Sequence, residues 1–559
     1  MNKIHQFSQL ERAEIRKDLQ NQEFDILIIG GGITGAGIAL DAASRGLSVA
    51  LVEKQDFGAG TSSRSTKLVH GGLRYLENFE FKLVHEVGKE REIVHKNAPH
   101  LVIPTKMLLP IVKNGSLGKF TTSIGLLVYD FLAGVKKNEK RRMLSKAQTL
   151  NKEPLLNKKI LKGSALYYEY KTDDARLVIE TMKKATSYGA KALNYCPFKA
   201  FIYNDKKLAG IKTFDLLDSK DFEIKAKTVI NATGPWVDQI RSSDAAVKGK
   251  RLHITKGIHI VIDRKKLPIN NAIYFDVHDG RMIFAIPKKN KIYIGTTDTN
   301  YKGNFENPEI TKDDVRYLLD ATKNLFPGMN ISIDDIESSW AGLRPLIHED
   351  GKSPSEMSRK DEIFFAPSGL ISIAGGKLTG YRKMAERIVD IVLKQLRSSD
   401  GRPFVKCKTE NIPLSGGDFK FYPEILKLVD YADSKYDEVK QTGISIQQFK
   451  NLFYRYGTNL DTIINKAFVI FNEVKDAELA FLKAEIWYSI QFEMTSNLVD
   501  FFLRRTEMLY FEPRKVDQLK QIVFDEFKTY FTWNKEMVEK HIEELSLELK
   551  RITQFIPTV

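Results

Sequence analysis

The sequence predicts an α/β protein in which a Rossmann-like dinucleotide-binding domain is interleaved with an antiparallel-sheet domain and followed by a helical C-terminal domain. Three observations carry that expectation. A short apolar run over residues 24–29 breaks into glycines, a helix-forming run follows over 33–45, and a second apolar run occupies 48–52: a strand, helix, strand unit. Alternating segments at 281–286 and 291–294, split by Pro287 and a lysine-rich turn, read as antiparallel strands of another sheet. Past the polar stretch at 397–403, long charged and apolar runs with helical spacing continue to Val559.

At 559 residues the chain exceeds one ordinary core, so two or three domains are expected. The expected parts are an N-terminal extension over 1–23, the interleaved pair of domains over 24–405, and the helical domain over 410–559. The dinucleotide-binding pieces fall near 24–100, 165–240 and 340–395, and the substrate-domain pieces near 100–165 and 240–340. Two further apolar runs, 228–232 and 370–374, each end in a glycine turn. In open α/β sheets the carboxyl ends of the strands are where ligands sit.

Composition narrows the function classes. A hydrophobic fraction of 42% and a charged fraction of 28% are those of a globular protein. The two cysteines, Cys196 and Cys407, form no CxxC motif and cannot staple a scaffold, which fits a reducing compartment. Residues 1–23 have no apolar signal-peptide core, and the apolar segment 117–135 is interrupted by Lys119 and Asp130, so neither export nor a spanning helix is expected. The net charge of +15 is spread along the chain without a nucleic-acid-binding pattern, leaving a solvated surface, an anionic membrane or an acidic substrate as its readings.

Gly30, Gly32 and Gly35 form GxGxxG between a strand and a helix, the context that makes this motif informative. The first glycine permits the turn, the second lets backbone approach a pyrophosphate, and the third lets helix and strand pack, with Ile33 and Thr34 opening the helix toward the phosphates. Glu53 ends the next strand, 23 positions after Gly30, where a carboxylate can accept from both ribose hydroxyls and disfavours a 2′-phosphate. This unit alone does not separate FAD from NAD.

The following segments do. Thr61-Ser62-Ser63 and the run from Ser65 to Leu76 (STKLVHGGLRYL) resemble the stretch after the ribose acid in FAD-dependent, quinone-linked glycerol-3-phosphate dehydrogenases. Asn231-Ala232-Thr233-Gly234-Pro235-Trp236, Lys256-Gly257-Ile258-His259, Gly295-Thr296-Thr297-Asp298, Gly342-Leu343-Arg344-Pro345 and Gly375-Gly376-Lys377-Leu378-Thr379 resemble that family's motifs, in its order, as does Leu503-Arg504-Arg505-Thr506 near the end. The extension at the N-terminus and Ile258, where the family often has a smaller polar residue, depart from the pattern.

The resemblance implies oxidation of the C2 hydroxyl of sn-glycerol 3-phosphate, with non-covalent FAD held by Gly30, Gly32, Ile33, Thr34, Gly35, Glu53, Thr61, Ser62, Ser63, Lys67, Leu68, His70, Gly234, Gly376, Lys377, Leu378 and Thr379. Alcohol oxidation also needs a base and cations for the phosphate and the developing oxyanion. His259 is the first candidate base by resemblance, although a histidine between Ile258 and Ile260 also suits a core; His70 is the alternative. By resemblance Arg74, Tyr75 and Arg359 hold the phosphate while Arg344 and Lys377 stand nearer the reacting oxygen and flavin, arginine being suited to a bidentate grip. Asp174 and Arg176 also match the family, but are read as an intrahelical or interdomain ion pair. No metal is expected.

The resemblance further implies electron transfer to a membrane quinone from the cytoplasmic face of the cell membrane, with the protein held peripherally on an anionic surface. Residues 117–135, flanked by lysines and arginines, are one candidate docking element; a homodimer is an open alternative to a monomer. Two rival readings remain at this stage: a glycerol-3-phosphate oxidase that reduces oxygen, and a non-catalytic dinucleotide- or RNA-binding module.

Overall fold

The computed structural model describes residues 7–70, 81–113, 115, 140–244, 250–348, 361–419 and 425–557. Its frame is two sheets. The first runs in the order Asp361–Phe365, Ile371–Gly375, Lys220–Asn231, Glu23–Ile29, Val49–Val52, Lys191–Leu193. Its inner neighbours pair in parallel, as Ile28 with Ile230 and Leu51 show. Strands covered on both faces are apolar throughout rather than alternating, and Glu23–Ile29 is buried from its second residue on.

The helix Ile33–Ser44 follows the glycine turn and is built of small residues. A Cβ on Gly37 would come within 2.8 Å of the Tyr381 ring, so the helix Tyr381–Asp400 can approach only because Gly37 has none. The N-terminal extension belongs to this domain too. Its helix Arg12–Asn21 places Ile15 and Leu19 in the sheet's core, and Arg12 clasps Asp215 with Nε and Nη2 at 3.0 and 2.8 Å.

The second sheet is predominantly antiparallel, as expected, with one parallel pair that makes it mixed. Most neighbours are antiparallel, notably Leu252–Asp263 with Ile336–Ile347, but Ala272–Asp276 lies parallel to Ile103–Val112. Those two strands come from separate stretches of chain, so no hairpin dictates their direction. Leu161–Lys171 and Ile336–Ile347 run whole within this sheet, across the expected boundaries near 165 and 340.

The C-terminal helices divide in two. Those from Ile425–Val439 to Ala477–Phe492 close around Phe449, Phe453, Ile463 and Tyr488. From Asp500 onward the chain instead packs on the second sheet, where Phe501, Phe502, Leu509 and Phe527 share a core with Leu68, Tyr167, Val261 and Trp340. No helix among the described residues is long and apolar enough to cross a membrane.

Candidate functional site

A cleft of about 790 Å3 lies between the two sheets. Ile29, Val52, Ala232 and Gly375, at or just past the carboxyl ends of four parallel strands, form one wall, and His259, Tyr274, Phe284 and Arg344 from the second sheet form the other.

At the first end, chain geometry forbids side chains. Gly30 has φ +110°, and a Cβ there would stand 2.7 Å from the Ala232 carbonyl oxygen; one on Gly35 would reach 1.9 Å from that of Gly30. Ser62 Oγ accepts from the Ile33 amide at 3.1 Å, so the loop around Thr61 is tied to the helix start. Glu53 Oε2 accepts from the Gly31 amide at 2.7 Å and Oε1 from Gln55 at 2.9 Å. Desolvation raises its pKa while these two amides lower it, and the net direction is upward. With both oxygens oriented by backbone, remaining lone pairs are available to ribose hydroxyls.

At the other end, His259 stacks on Trp340 with centroids 4.8 Å apart and planes at 12°, and is only 2% exposed. Its ring occupies the space above Gly295, where a Cβ would fall 2.2 Å from Cδ2. Nε2 is shared with Thr66 Oγ1 at 3.0 Å, whereas Nδ1 is buried without a hydrogen-bond partner. Burial, then Arg344, then Lys67 hold the imidazole well below its usual pKa, so the ring is neutral, the form that can accept a proton.

Arg344 donates to Thr296 Oγ1 at 2.8 Å, to the Thr297 carbonyl at 3.1 Å and to Asp298 Oδ1 at 3.2 Å, and its guanidinium lies over Gly257. Thr379 Oγ1 bonds both the amide and the carbonyl of His70, at 3.1 Å each, linking the two cofactor loops. Gly376, with φ +77°, leads into Lys377 and Leu378, which reach the cleft along with Gly234.

The sequence-predicted residues therefore gather at this cleft, with specific departures. Lys67 is placed otherwise: its ammonium, 1% exposed, is held by Asp174 at 2.6 Å and Glu507 at 2.9 Å, so it serves a buried ion cluster and cannot reach a ligand. Ser63 is likewise packed behind the wall, whereas Gly35 lies there in the packing role expected of the third glycine. The carboxylates of Asp173, Asp174 and Glu507 have oxygens within 4.8 Å of one another, and Lys67 and Lys288 supply the balancing charge. Arg74, Tyr75 and Arg359, and the segment 117–135, lie outside the described residues. Arg176 bridges Glu180 within its helix and Glu493 of the C-terminal domain, the latter at 2.6 Å, in keeping with the ion-pair reading. Thr66 and Trp340 carried no assignment from sequence; Thr66 sits inside a quoted motif, and Trp340 two positions before another.

Comparison with known proteins agrees along the whole chain. Residues 25–382 match the model of the family described as FAD dependent oxidoreductase, and residues 407–538 that of the C-terminal domain of alpha-glycerophosphate oxidase. The chain is 52% identical to aerobic glycerol-3-phosphate dehydrogenase of Bacillus subtilis, covering 97% of each, and 50% identical to that of Staphylococcus haemolyticus, covering 98% of each. The solved glycerol-3-phosphate dehydrogenase of Bacillus halodurans, complexed with FAD, superposes with a TM-score of 0.84 at 42% identity over 99% of this chain and 100% of that one. L-alpha-glycerophosphate oxidase of Mycoplasma pneumoniae shares the fold, with a TM-score of 0.54 at 18% identity over 69% of this chain and 97% of that one.

Proposed function

The chain belongs to the family of FAD-dependent glycerol-3-phosphate dehydrogenases, and from that premise we infer that it oxidises sn-glycerol 3-phosphate to dihydroxyacetone phosphate. The observation that carries the reading is the continuity of one cleft from Gly30 and Glu53 to His259 and Arg344.

The residues present fit FAD. The turn at Gly30 and Gly35 leaves backbone room that any side chain would fill, and Glu53 is oriented for a ribose. Gly30, Gly32, Ile33, Thr34 and Glu53 would hold the adenosine and pyrophosphate part, and Thr61, Ser62, Leu68, His70, Gly234 and the 376–379 loop the rest. Bound FAD supplies the hydride acceptor. No cysteine or histidine lies in an attachment motif, so the cofactor is non-covalent, and acid precipitation should release it into the supernatant; flavin retained on the precipitated chain would refute this.

His259 takes the proton of the substrate hydroxyl. Its neutral state equips it for that step, and Trp340 and Thr66 fix the ring plane. Positioned proton transfer contributes roughly 10²–10⁴ in rate. Arg344, held by Thr296 and Asp298, offers positive charge where the alcohol oxygen gains negative charge, and Lys377 lines the same cleft. Arg74, Tyr75 and Arg359 grip the phosphate, so glycerol itself is a very poor substrate, because a site built to bind the anion loses those interactions with a ligand that lacks it. If Arg359→Ala left the preference for the phosphorylated substrate unchanged, that role would be wrong.

The electron acceptor is a membrane quinone, and the protein works peripherally on an anionic cytoplasmic membrane face. The net charge of +15 fits an anionic surface, and the relatives' name, a dehydrogenase rather than an oxidase, favours an acceptor other than oxygen. Sedimentation with anionic vesicles at low and high salt, beside turnover with a quinone analogue and with oxygen, tests it. Salt-sensitive pelleting and faster quinone reduction are expected. Protein that stays in solution at low salt and reduces oxygen faster would favour the oxidase reading.

A further inference from the structure

The turn formed by residues 65–67 is bonded through nearly every polar group it has. Ser65 donates from its amide and hydroxyl to Asp174 Oδ2 at 3.0 and 2.6 Å, and its carbonyl accepts from Trp340 Nε1 at 3.1 Å. The Thr66 carbonyl accepts from the Tyr293 hydroxyl at 3.2 Å, and that of Lys67 from the Thr172 amide at 2.9 Å. The one side chain of the turn directed at the proposed base is Thr66, whose Oγ1 meets His259 Nε2.

Lys67 adopts φ 56°, a left-handed conformation unfavourable for a residue with a Cβ. Beside its backbone bonds to Ser65 and Thr172, its ammonium holds it there, anchored between Asp174 at the start of the helix Asp174–Ser187 and Glu507 of the C-terminal domain. Glu507 also pairs with Lys288 of the second sheet, so three parts of the molecule meet at this carboxylate. Lys67 and Asp174 at the centre of the cluster are fully buried, and the cluster lies one residue from the hydroxyl that touches the base.

We propose that Glu507 is a positioning residue for the reaction: through Lys67 it fixes the 65–67 turn, and the turn's Thr66 hydroxyl sets the ring of His259. The inference rests on reading His259 as the proton acceptor. It makes the C-terminal domain a determinant of turnover although none of its residues needs to touch substrate. The coupling path has two links, ammonium to turn and hydroxyl to imidazole, so removing either end removes the same benefit. A shift of the base by a fraction of an ångström is felt in the transition state more than in substrate binding.

The test compares flavin content, kcat and KM in the FAD-loaded full chain for Glu507→Gln, Thr66→Val, the double variant, and His259→Ala. Glu507→Gln is expected to keep its flavin and its KM within about twofold while kcat falls about tenfold. The double variant should be no slower than Thr66→Val, and Glu507→Asp should recover part of the loss. Should Glu507→Gln fail to fold, Glu507→Asp measured alone and with Thr66→Val reads the same coupling. A wild-type kcat in Glu507→Gln, losses that multiply in the double variant, or activity lost only in proportion to flavin would overturn the proposal. Wild-type turnover in His259→Ala would instead remove the base assignment on which it rests.

Discussion

Glu53 and Asp56 stand three positions apart on one loop, and their carboxyl groups shift in opposite directions. Glu53 faces the cleft, and desolvation pushes it up against two backbone amides. Asp56 is fully buried, which alone would raise it, but the guanidiniums of Arg505 and Arg504, the latter at 2.6 Å, bring it down to about 2. One acid is oriented by neutral donors and keeps capacity for a ligand. The other is saturated by cations from a segment 448 positions away and locks the C-terminal domain onto the nucleotide-binding loop. A short loop thus does two jobs by facing two environments.

The sharpest way to break this contrast is Asp56→Asn. It would take the shared carboxylate from two buried guanidiniums, leaving Arg504 with Asp500 and Arg505 with the more distant Glu493, and losing one partner of a buried ion pair costs about 3–5 kcal/mol. Denaturant unfolding of the FAD-loaded protein should show a loss of that size. A midpoint like wild type would mean that the seam does not hold the domains together.

The nucleotide end should fail differently. Gly35→Ala would push a methyl group against the Gly30 carbonyl, backbone against which nothing can rotate away. FAD affinity is expected to drop about a hundredfold, close to 3 kcal/mol, with a smaller loss of fold stability. Flavin titration of the apoprotein reads it, and unchanged affinity would mean that the packing of this helix against its strand does not shape the phosphate-binding turn.

These two ends were not equally legible from sequence. The glycine turn, the strand and helix beside it and Glu53 are written within about two dozen consecutive residues, so local pattern alone finds them. The seam joins Asp56 to Arg504 and Lys67 to Glu507, partners hundreds of positions apart, and nothing in spacing announces such pairs. Sequence alone places Lys67 at the cofactor for that reason: its motif lies at the cleft, but its ammonium follows Asp174 and Glu507 inward. The second sheet's parallel pair was hidden likewise, because alternation reveals a strand but not its neighbour. The Arg176 ion pair was readable because one of its partners, Glu180, lies a helical turn away.

A smaller effect separates the regions by pH. His100 lies against the C-terminal linker, and burial, then Arg176 and Lys183, bring its pKa down to about 3. The unfolded chain takes up this proton near 6.5 and the folded one does not until about 3, so its contribution makes stability rise with pH across that window. Acidification from pH 7 to 5 should cost about 2 kcal/mol through this residue. His100→Phe should flatten that limb; an unchanged slope would assign it elsewhere. Glu53, shifted upward, acts with the opposite sign, since the folded state binds its proton first.

The smallest predicted change is Glu53→Gln, which keeps the shape and removes the charge. FAD affinity should weaken about tenfold, the scale of a charge-assisted hydrogen bond, while the apoprotein's unfolding midpoint falls by less than in Asp56→Asn, because the Gln amide nitrogen can no longer accept from one of the two backbone amides. A destabilised apoprotein with intact affinity would reverse the roles given to Glu53 and Asp56.

The central claim, that one cleft brings FAD and glycerol 3-phosphate together for oxidation, is tested most directly by anaerobic addition of substrate to the FAD-loaded protein while its visible absorption is followed. sn-Glycerol 3-phosphate should bleach the flavin band and yield dihydroxyacetone phosphate in equal amount, glycerol should leave the band intact, and His259→Ala should bleach far more slowly at full flavin content. A band that persists with sn-glycerol 3-phosphate, in protein carrying its full complement of flavin, would contradict the account.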